Sequence, residues 1–123
     1  MALTYLLDSV ILIDHLNRIS QSTAFLAQVH KEAAISVITR AEVLAGFDSA
    51  PVYVEQLLDQ FPCFGIERNV ADLAARLRRK HRWKLPDAFQ AALTEFHGLR
   101  FVTRNVRDFP PGRFAFVLQP YEI

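Results

Sequence analysis

The stretch Tyr5–Leu16, YLLDSVILIDHL, decides the fold class because it joins two periodicities around one carboxylate. Thr4–Leu7 has the apolar character of a short buried strand, and Val10–Leu16 can continue as a helix. Asp8 lies at the junction, inside a segment that would otherwise suit a protein core. A strand that passes directly into a helix is typical of a βαβ unit.

The rest of the chain repeats this alternation of strand and helix. Further strands are predicted at Ala33–Ile38, Cys63–Glu67, Arg100–Thr103 and Phe114–Leu118. Further helices are predicted to begin at Ser22, Thr39, Ser49, Asn69 and Pro86. The pattern predicts right-handed crossovers and a parallel sheet covered by helices on both faces.

Composition favours one compact domain that spans residues 1–123. The chain has 123 residues, of which 51% are apolar, enough for one core and with no linker or repeat. Its single cysteine, Cys63, excludes an internal disulfide and a cysteine-based metal site, and we expect it in the core. No segment has the pattern of a signal peptide or a membrane span, so we expect a cytoplasmic protein without membrane contact.

The positive charge is concentrated although the net charge is only +1. Arg76–Lys84 reads RLRRKHRWK, and no acid occurs from Leu73 through Pro86. A solvated helix face explains such a run equally well on its own. Cations beside an aromatic ring, here Trp83, also suit phosphate contact and base stacking.

Four acids occupy corresponding places near strand ends and helix starts: Asp8, Glu42, Asp87 and Asp108. Each has an ordinary explanation. Asp8 is suited to cap a helix, Glu42 to complete a capping box with Thr39, Asp87 to favour a helix dipole and Asp108 to stabilise a turn. Because the carboxyl ends of parallel strands share one edge of a sheet, all four are nevertheless expected to converge there.

Convergence of four carboxylates requires protons or a cation. Each close pair costs about 4 kcal/mol at 4 Å and an effective dielectric of about 20, against a total stability of about 5–15 kcal/mol. Oxygen ligands without cysteine select Mg²⁺ or Mn²⁺ rather than zinc, and such ions serve phosphoryl chemistry. With the basic stretch, the pattern indicates a nucleic acid substrate. The four histidines are expected to be exposed or satisfied by hydrogen bonds rather than to act as ligands, and Asp14 is expected to face solvent.

Four segments resemble the successive motifs of a known family: YLLDSVILIDHL, ISVITRAEVLAG, KLPDAFQAAL and GLRFVTRNVRDF. In order and spacing they are similar to PIN domains, and in particular to the VapC-type toxins of toxin–antitoxin pairs. The resemblance implies a three-layer α/β/α sandwich with a central parallel sheet and Mg²⁺- or Mn²⁺-dependent endoribonuclease activity. It also implies homodimers, and inhibition by a cognate antitoxin protein that inserts a segment into the active-site groove.

The resemblance also assigns roles to residues. It makes Asp8, Glu42, Asp87 and Asp108 the catalytic acids, and we expect Asp8, Asp87 and Asp108 to hold the metal. Ser9, Thr103 and Asn105 match residues that support the site, while Val10 replaces an asparagine that is usual in the family. We further expect the RNA backbone to contact a set of cations: Arg76, Arg79, Lys80, Arg82, Lys84, Arg104 and Arg107.

Two other functions compete with the nuclease. A receiver-like phosphorylation domain needs adjacent acids after the first strand and a lysine late in the chain, and LLDSV and RFVTRN supply neither. A non-catalytic RNA-binding or partner-binding module with the same fold is the other alternative. Such a module is expected to lose at least one of the four acids, so their retention favours catalysis.

Overall fold

The structure, a computed structural model, describes residues 2–48 and 51–123. Its strands are β1 (Tyr5–Leu7), β2 (Ala33–Ser36), β3 (Cys63–Phe64), β4 (Arg100–Val102) and β5 (Val117–Leu118). Its helices are α1 (Ser9–Leu16), α2 (Ser20–Val29), α3 (Val37–Gly46), α4 (Pro51–Leu58), α5 (Arg68–His81) and α6 (Leu85–His97), with a 3₁₀ turn at His30–Glu32. None of the helices in these two ranges is long and apolar enough to cross a membrane.

The strands form one parallel sheet in the order β3-β2-β1-β4-β5. The first strand is therefore central, and Tyr5 pairs with Ala33 on one side and with Arg100 on the other. This confirms the predicted parallel sheet. Because Asp8 directly follows β1, it lies at the middle of the carboxyl edge.

Alternate strand residues build two separate cores, one on each face of the sheet. Leu6 and Phe101 pack with the apolar residues of α5 and α6. Leu7 and Val102 pack with those of α1, α2, α3 and α4. Since successive side chains of a strand point to opposite faces, short strands of two to four residues suffice to cover both cores. The predicted α/β/α sandwich is confirmed.

Helix α3 begins earlier than the sequence predicts. The strand ends at Ser36, whose hydroxyl oxygen accepts the backbone N–H of Thr39 at 3.1 Å and so caps the helix. The predicted start at Thr39 is wrong because a suitable cap lies three residues before it. Glu42 then falls in the second turn, so the capping box between Thr39 and Glu42 does not form.

Other predicted helix boundaries shift as well. Ser22 does not cap α2, which begins at Ser20. The Ser22 hydroxyl is instead buried and donates to the carbonyl of Ile11 at 2.6 Å. The cap position of α5 is Glu67 rather than Asn69. The predicted helix start at Ser49 lies outside the described residues.

The edges of the sheet are shorter than predicted. Only Val117–Leu118 of the predicted strand Phe114–Leu118 pairs with β4, because Phe114 and Phe116 turn into an aromatic cluster around Phe109. Cys63 lies on the edge strand β3 and is exposed, so its predicted burial is wrong.

Candidate active site

Asp8 is held from two sides at the carboxyl end of the central strand. It occupies the N-cap position of α1, and one carboxylate oxygen accepts the backbone N–H of Ser9 at 2.8 Å. The other accepts the hydroxyl of Thr103 at 2.7 Å. Burial raises the pKa of Asp8, and the hydrogen bonds from Thr103 and Ser9 act against this rise. Ser9 and Thr103 thus fix Asp8, and their part in catalysis stays a prediction.

Asp108 lies in a loop after β4 that is held by its own side chains. The hydroxyl oxygen of Thr103 accepts the N–H of Asn105 at 3.0 Å, and Asn105 Nδ2 donates to Asp108 Oδ2 at 3.0 Å. The backbone carbonyl of Asp108 accepts the indole N–H of Trp83 at 2.9 Å. A chain of hydrogen bonds therefore runs from Asp8 through Thr103 and Asn105 to Asp108.

Asp87 and Glu42 share the electrostatic environment of these two acids. Asp87 lies in the first turn of α6. Burial raises its pKa to about 6, and repulsion from Asp8, Asp108 and Glu42 adds to the rise. The pKa of Glu42 is also raised, by burial and by repulsion from Asp8. A hydrogen bond from the Ser9 hydroxyl opposes this rise. The structure therefore brings the four predicted acids into one region of negative charge.

This acidic region suits a divalent cation in chemistry and charge. Across the described part of the chain, the ion pairs join Arg40 to Asp59 and Arg104 to Asp14, so none neutralises the four acids. An oxygen-only donor set with excess negative charge fits Mg²⁺ or Mn²⁺. Over residues 2–48 and 51–123, however, no three His, Cys, Asp or Glu side chains form a ready ligand group. The acids would therefore have to draw together around an ion.

The raised pKa of Asp87 predicts that the metal-free protein loses stability as the pH rises. The folded state binds this proton more tightly than the unfolded state, so the contribution is complete below the ordinary pKa of 3.8 and is lost as the pH rises through about 6. We expect Asp87→Asn to flatten this fall in the free energy of unfolding. Urea unfolding in chelator at stepped pH measures it, with the exposed Asp72→Asn as control. Equal slopes in the Asp87 variant and the parent protein would contradict the prediction.

A buried polar cluster beneath the acids is a feature that the sequence analysis missed. Gln90 on α6 is 1% exposed; its Oε1 accepts the Ser36 hydroxyl at 2.7 Å and its Nε2 donates to the Thr39 hydroxyl oxygen at 2.8 Å. The Thr39 hydroxyl donates to the carbonyl of Leu7 at 3.0 Å. The cluster ties the ends of β1 and β2 to α3 and α6. Its one sequence signal is an amide within the apolar face of a helix.

Asp14 is buried, so its predicted exposure to solvent is wrong. Arg104 donates to both carboxylate oxygens, from Nε at 2.6 Å and from Nη2 at 2.9 Å, and the Tyr121 hydroxyl donates at 2.9 Å. Burial would raise the pKa of Asp14, but the hydrogen bonds from Arg104 and Tyr121 outweigh it and lower the pKa. Arg104 therefore anchors the loop after β4 to α1, and its contact with RNA stays a prediction.

The other predicted RNA-binding cations are exposed on α5, on the turn that follows it and on the loop after β4: Arg76, Arg79, Lys80, Arg82, Lys84 and Arg107. Trp83 is not available to stack on a base. It is 5% exposed, packs between His81 and Phe109 and uses its N–H on Asp108. The predicted stacking role is wrong because burial of the large indole stabilises the turn between α5 and α6.

Comparison with known proteins gives a consistent relationship. A model of the PIN domain family matches residues 5–110. A chain in a toxin–antitoxin complex from Klebsiella pneumoniae is 32% identical, with a TM-score of 0.90 over 98% of this chain and 100% of that chain.

More distant solved structures share the fold. They include FitAcB from Neisseria gonorrhoeae, with 23% identity and a TM-score of 0.78 over 98% of this chain and 100% of that chain. DNA-bound VapBC from Salmonella typhimurium has 21% identity and a TM-score of 0.75 over 87% and 90% of the two chains. No match was found among curated protein sequences. By its family match over most of its length, the chain belongs to the PIN domain family.

Proposed function

We propose that the chain is a divalent-metal-dependent endoribonuclease that hydrolyses RNA phosphodiester bonds and acts in the cytoplasm as the toxin of a toxin–antitoxin pair. The observation that carries the proposal is the gathering of four acids that no ion pair neutralises within the described residues, with the pKa of Asp87 raised to about 6. Such perturbed groups concentrate at functional sites. The similarity along the full length to a chain of a toxin–antitoxin complex supports the toxin role.

The four acids divide into metal ligands and a base in the proposed reaction. Asp8, Asp87 and Asp108 would hold Mg²⁺ or Mn²⁺, which when bound supplies a Lewis acid for the phosphate and lowers the pKa of water. Glu42, an exposed carboxylate with a raised pKa, would orient the attacking water and accept its proton.

Neighbouring backbone and side-chain donors would keep these acids in place. Ser9 and Thr103 fix the two oxygens of Asp8, and Asn105 fixes Asp108 through the contacts described above. Fixed donors and acceptors lose little freedom when the transition state forms, so positioning of this kind favours catalysis.

The RNA backbone would lie along the exposed cations of α5 and the loops beside it. The end of α5 at His81 is followed closely by Asp87, so the cations at this end lie nearest the acids. Contacts between cations and phosphates release counterions, and binding should therefore weaken steeply with salt. Arg104 would contribute less, because its guanidinium is held by Asp14.

We place contact with a second copy of the chain on the α4 side, whereas the antitoxin would insert a segment into the groove beside the four acids. Val52 and Tyr53 on α4 are 66% and 58% exposed. Tyr53 lines a groove of about 360 Å³ between α2 and α4, and the lining also includes Leu26, Leu57 and Phe61. The apolar residues of α1 offer less surface for such contact, because they pack into or against the core.

The first test is incubation of the purified chain with a mixed pool of structured RNAs. We expect cleavage with Mg²⁺ or Mn²⁺ and none with EDTA, because the carboxylates alone supply no Lewis acid to stabilise charge on the phosphate. Sequencing of the new ends gives the site that is cut. Absence of cleavage with either metal, in protein shown to be folded, would contradict the proposal.

One observation favours the second candidate, a non-catalytic RNA-binding or partner-binding module. The acids are near one another, yet in the described ranges no three of them form a ready ligand group. In the same experiment, RNA that is retained on the protein but never cut with either metal would support this module.

A further inference from the structure

Three arginines surround a small pocket beside Asp108. Arg82, Arg107 and Arg113 line a cavity of about 160 Å³ together with Asp108. Its remaining walls come from His81, Trp83, Pro110 and Phe114. We call this cavity the arginine pocket. It is smaller than the roughly 300–1,000 Å³ of sites for drug-sized ligands and has the size for a small anion.

The arginine pocket carries net positive charge, because three arginines line it and Asp108 is the one carboxylate among its walls. Among residues 2–48 and 51–123, no ion pair involves Arg82, Arg107 or Arg113. Like charges around one cavity repel one another, so the arrangement favours an anion. Burial and the nearby cations Lys80 and Arg113 lower the pKa of His81, and its Nδ1 is buried with no hydrogen-bond partner in the described chain.

Contacts within the protein hold part of the pocket's walls. The Arg113 guanidinium lies over the ring of Phe114, 5.2 Å from its centre. The Trp83 indole bonds to the Asp108 carbonyl, which joins the turn after α5 to the loop after β4. The cations are therefore presented by backbone that is already ordered, which reduces the entropic cost of binding.

Arg82 adopts a backbone conformation that ordinarily calls for glycine. It follows the last residue of α5 with a φ of 61°, in the left-handed region, and its N–H donates to the carbonyl of Arg78 at 2.7 Å. Glycine is the usual residue at such a helix end because it has no Cβ. The end of α5 therefore places a strained arginine, rather than a glycine, at the rim of the cationic pocket.

We propose that the arginine pocket binds a backbone phosphate of the RNA substrate, adjacent to the phosphate that is cut. This inference rests on the proposed function, because RNA is the anion in question. Asp108 is a wall of the pocket and also one of the four acids, so the two sites share a side chain. A free phosphate ion offers the same chemistry, and the experiment separates the two.

The test compares two arginines that share the same backbone strain. Within residues 2–48 and 51–123, Arg18 is the other non-glycine residue with a positive φ, 63°. It is exposed beyond the far end of α1, away from the carboxyl edge. Arg82→Gly and Arg18→Gly each remove one charge and relieve one strained residue, so both should raise the unfolding midpoint. Only Arg82→Gly should weaken RNA binding, by about tenfold.

Binding is measured with a short labelled single-stranded oligoribonucleotide, in an Asp8→Asn background that prevents cleavage. Arg82→Gly should reduce the slope of log K against log salt by about 0.7 for each phosphate that the variant no longer neutralises. Oligonucleotides with one phosphate replaced by neutral methylphosphonate then locate the phosphate that the pocket binds. Methylphosphonate at one position should weaken RNA binding by the parent protein. The same replacement should not change RNA binding by Arg82→Gly or Arg113→Ala.

Three results overturn the inference. If Arg82→Gly and Arg18→Gly bind RNA equally while the parent protein still cuts RNA with metal, the arginine pocket is not a phosphate site. The proposed function is unaffected by that result. If inorganic phosphate competes with RNA but no methylphosphonate position changes RNA binding, the pocket is a site for the free ion only. RNA that is neither bound nor cut would contradict both proposals.

Discussion

Asp8→Asn should reduce RNA cleavage by at least about 100-fold while the protein stays folded. Loss of a residue that merely supports a metal ligand already costs about 10–100-fold, and Asp8 is proposed as a ligand itself. Asparagine keeps the size of the side chain and an acceptor for the N–H of Ser9, so the local geometry should survive. The measurement is the initial rate of RNA cleavage at saturating Mn²⁺.

The same substitution should not lower the melting temperature. Burial raises the pKa of Asp8, so the charged form is unfavourable in the folded state at neutral pH and asparagine removes that cost. The matched control is Asp59→Asn, because the Asp59 side chain is 66% exposed and pairs with Arg40 rather than with any of the four acids. Full activity in the Asp8 variant, or equal losses in both variants, would contradict the ligand assignment.

Asp14→Ala should lower the free energy of unfolding by about 3 kcal/mol, because removal of one partner leaves a partly buried charge without compensation. The Asp14 side chain is 7% exposed and that of Arg104 27%, so water is a poor substitute for the missing carboxylate. Asp59→Ala, which breaks the exposed pair with Arg40, should cost less than about 1 kcal/mol. Urea unfolding at neutral pH measures both.

Acid should reproduce this loss in the parent protein. The folded-state pKa of Asp14 is lowered, so its stabilising contribution is present above the ordinary value of 3.8 and disappears as the pH falls through the lower folded value. Burial raises the pKa of Tyr121 to about 12, so its hydroxyl remains a donor throughout. The ion-pair explanation would be contradicted if the difference in the free energy of unfolding between the parent protein and Asp14→Ala were the same at pH 7 and in strong acid.

Apolar replacement of both partners separates charge from packing. Asp14→Leu combined with Arg104→Met should recover much of the stability, since paired buried charges are often replaceable by apolar residues. Cleavage should recover less, because Arg104 also holds the loop that carries Thr103, Asn105 and Asp108. If stability and cleavage returned together, Arg104 would matter for folding alone.

The parallel sheet and the gathering of the acids were predictable because both follow from short-range patterns. Apolar strands followed by helix starts fix the order of elements, and parallel strands bring their carboxyl ends to one edge. To predict that the four acids converge, it was therefore enough to locate them relative to the strands and helices. Helix starts were less predictable. Ser36 and Thr39 both suit a cap, and tertiary contacts decide between them: Thr39 bonds to Leu7 and Gln90.

The supporting contacts were not predictable because they join residues distant in sequence. Asp14 meets Arg104 and Tyr121 across 90 and 107 positions, and nothing near Asp14 in the sequence indicates a partner. Gln90 meets Ser36 across 54 positions. The prediction for Trp83 failed for a related reason: its neighbours in sequence are cations, whereas its neighbours in space are His81, Phe109 and Phe114.

The indole of Trp83 also gives the protein an intrinsic optical probe. It is the only tryptophan in the chain, and its N–H ends on the carbonyl of Asp108. Its fluorescence therefore originates at the one loop that the acids and the arginine pocket share. Titration with Mg²⁺ or with a short RNA should change that emission without any added dye, so occupancy of either site is observable in protein that has not been modified.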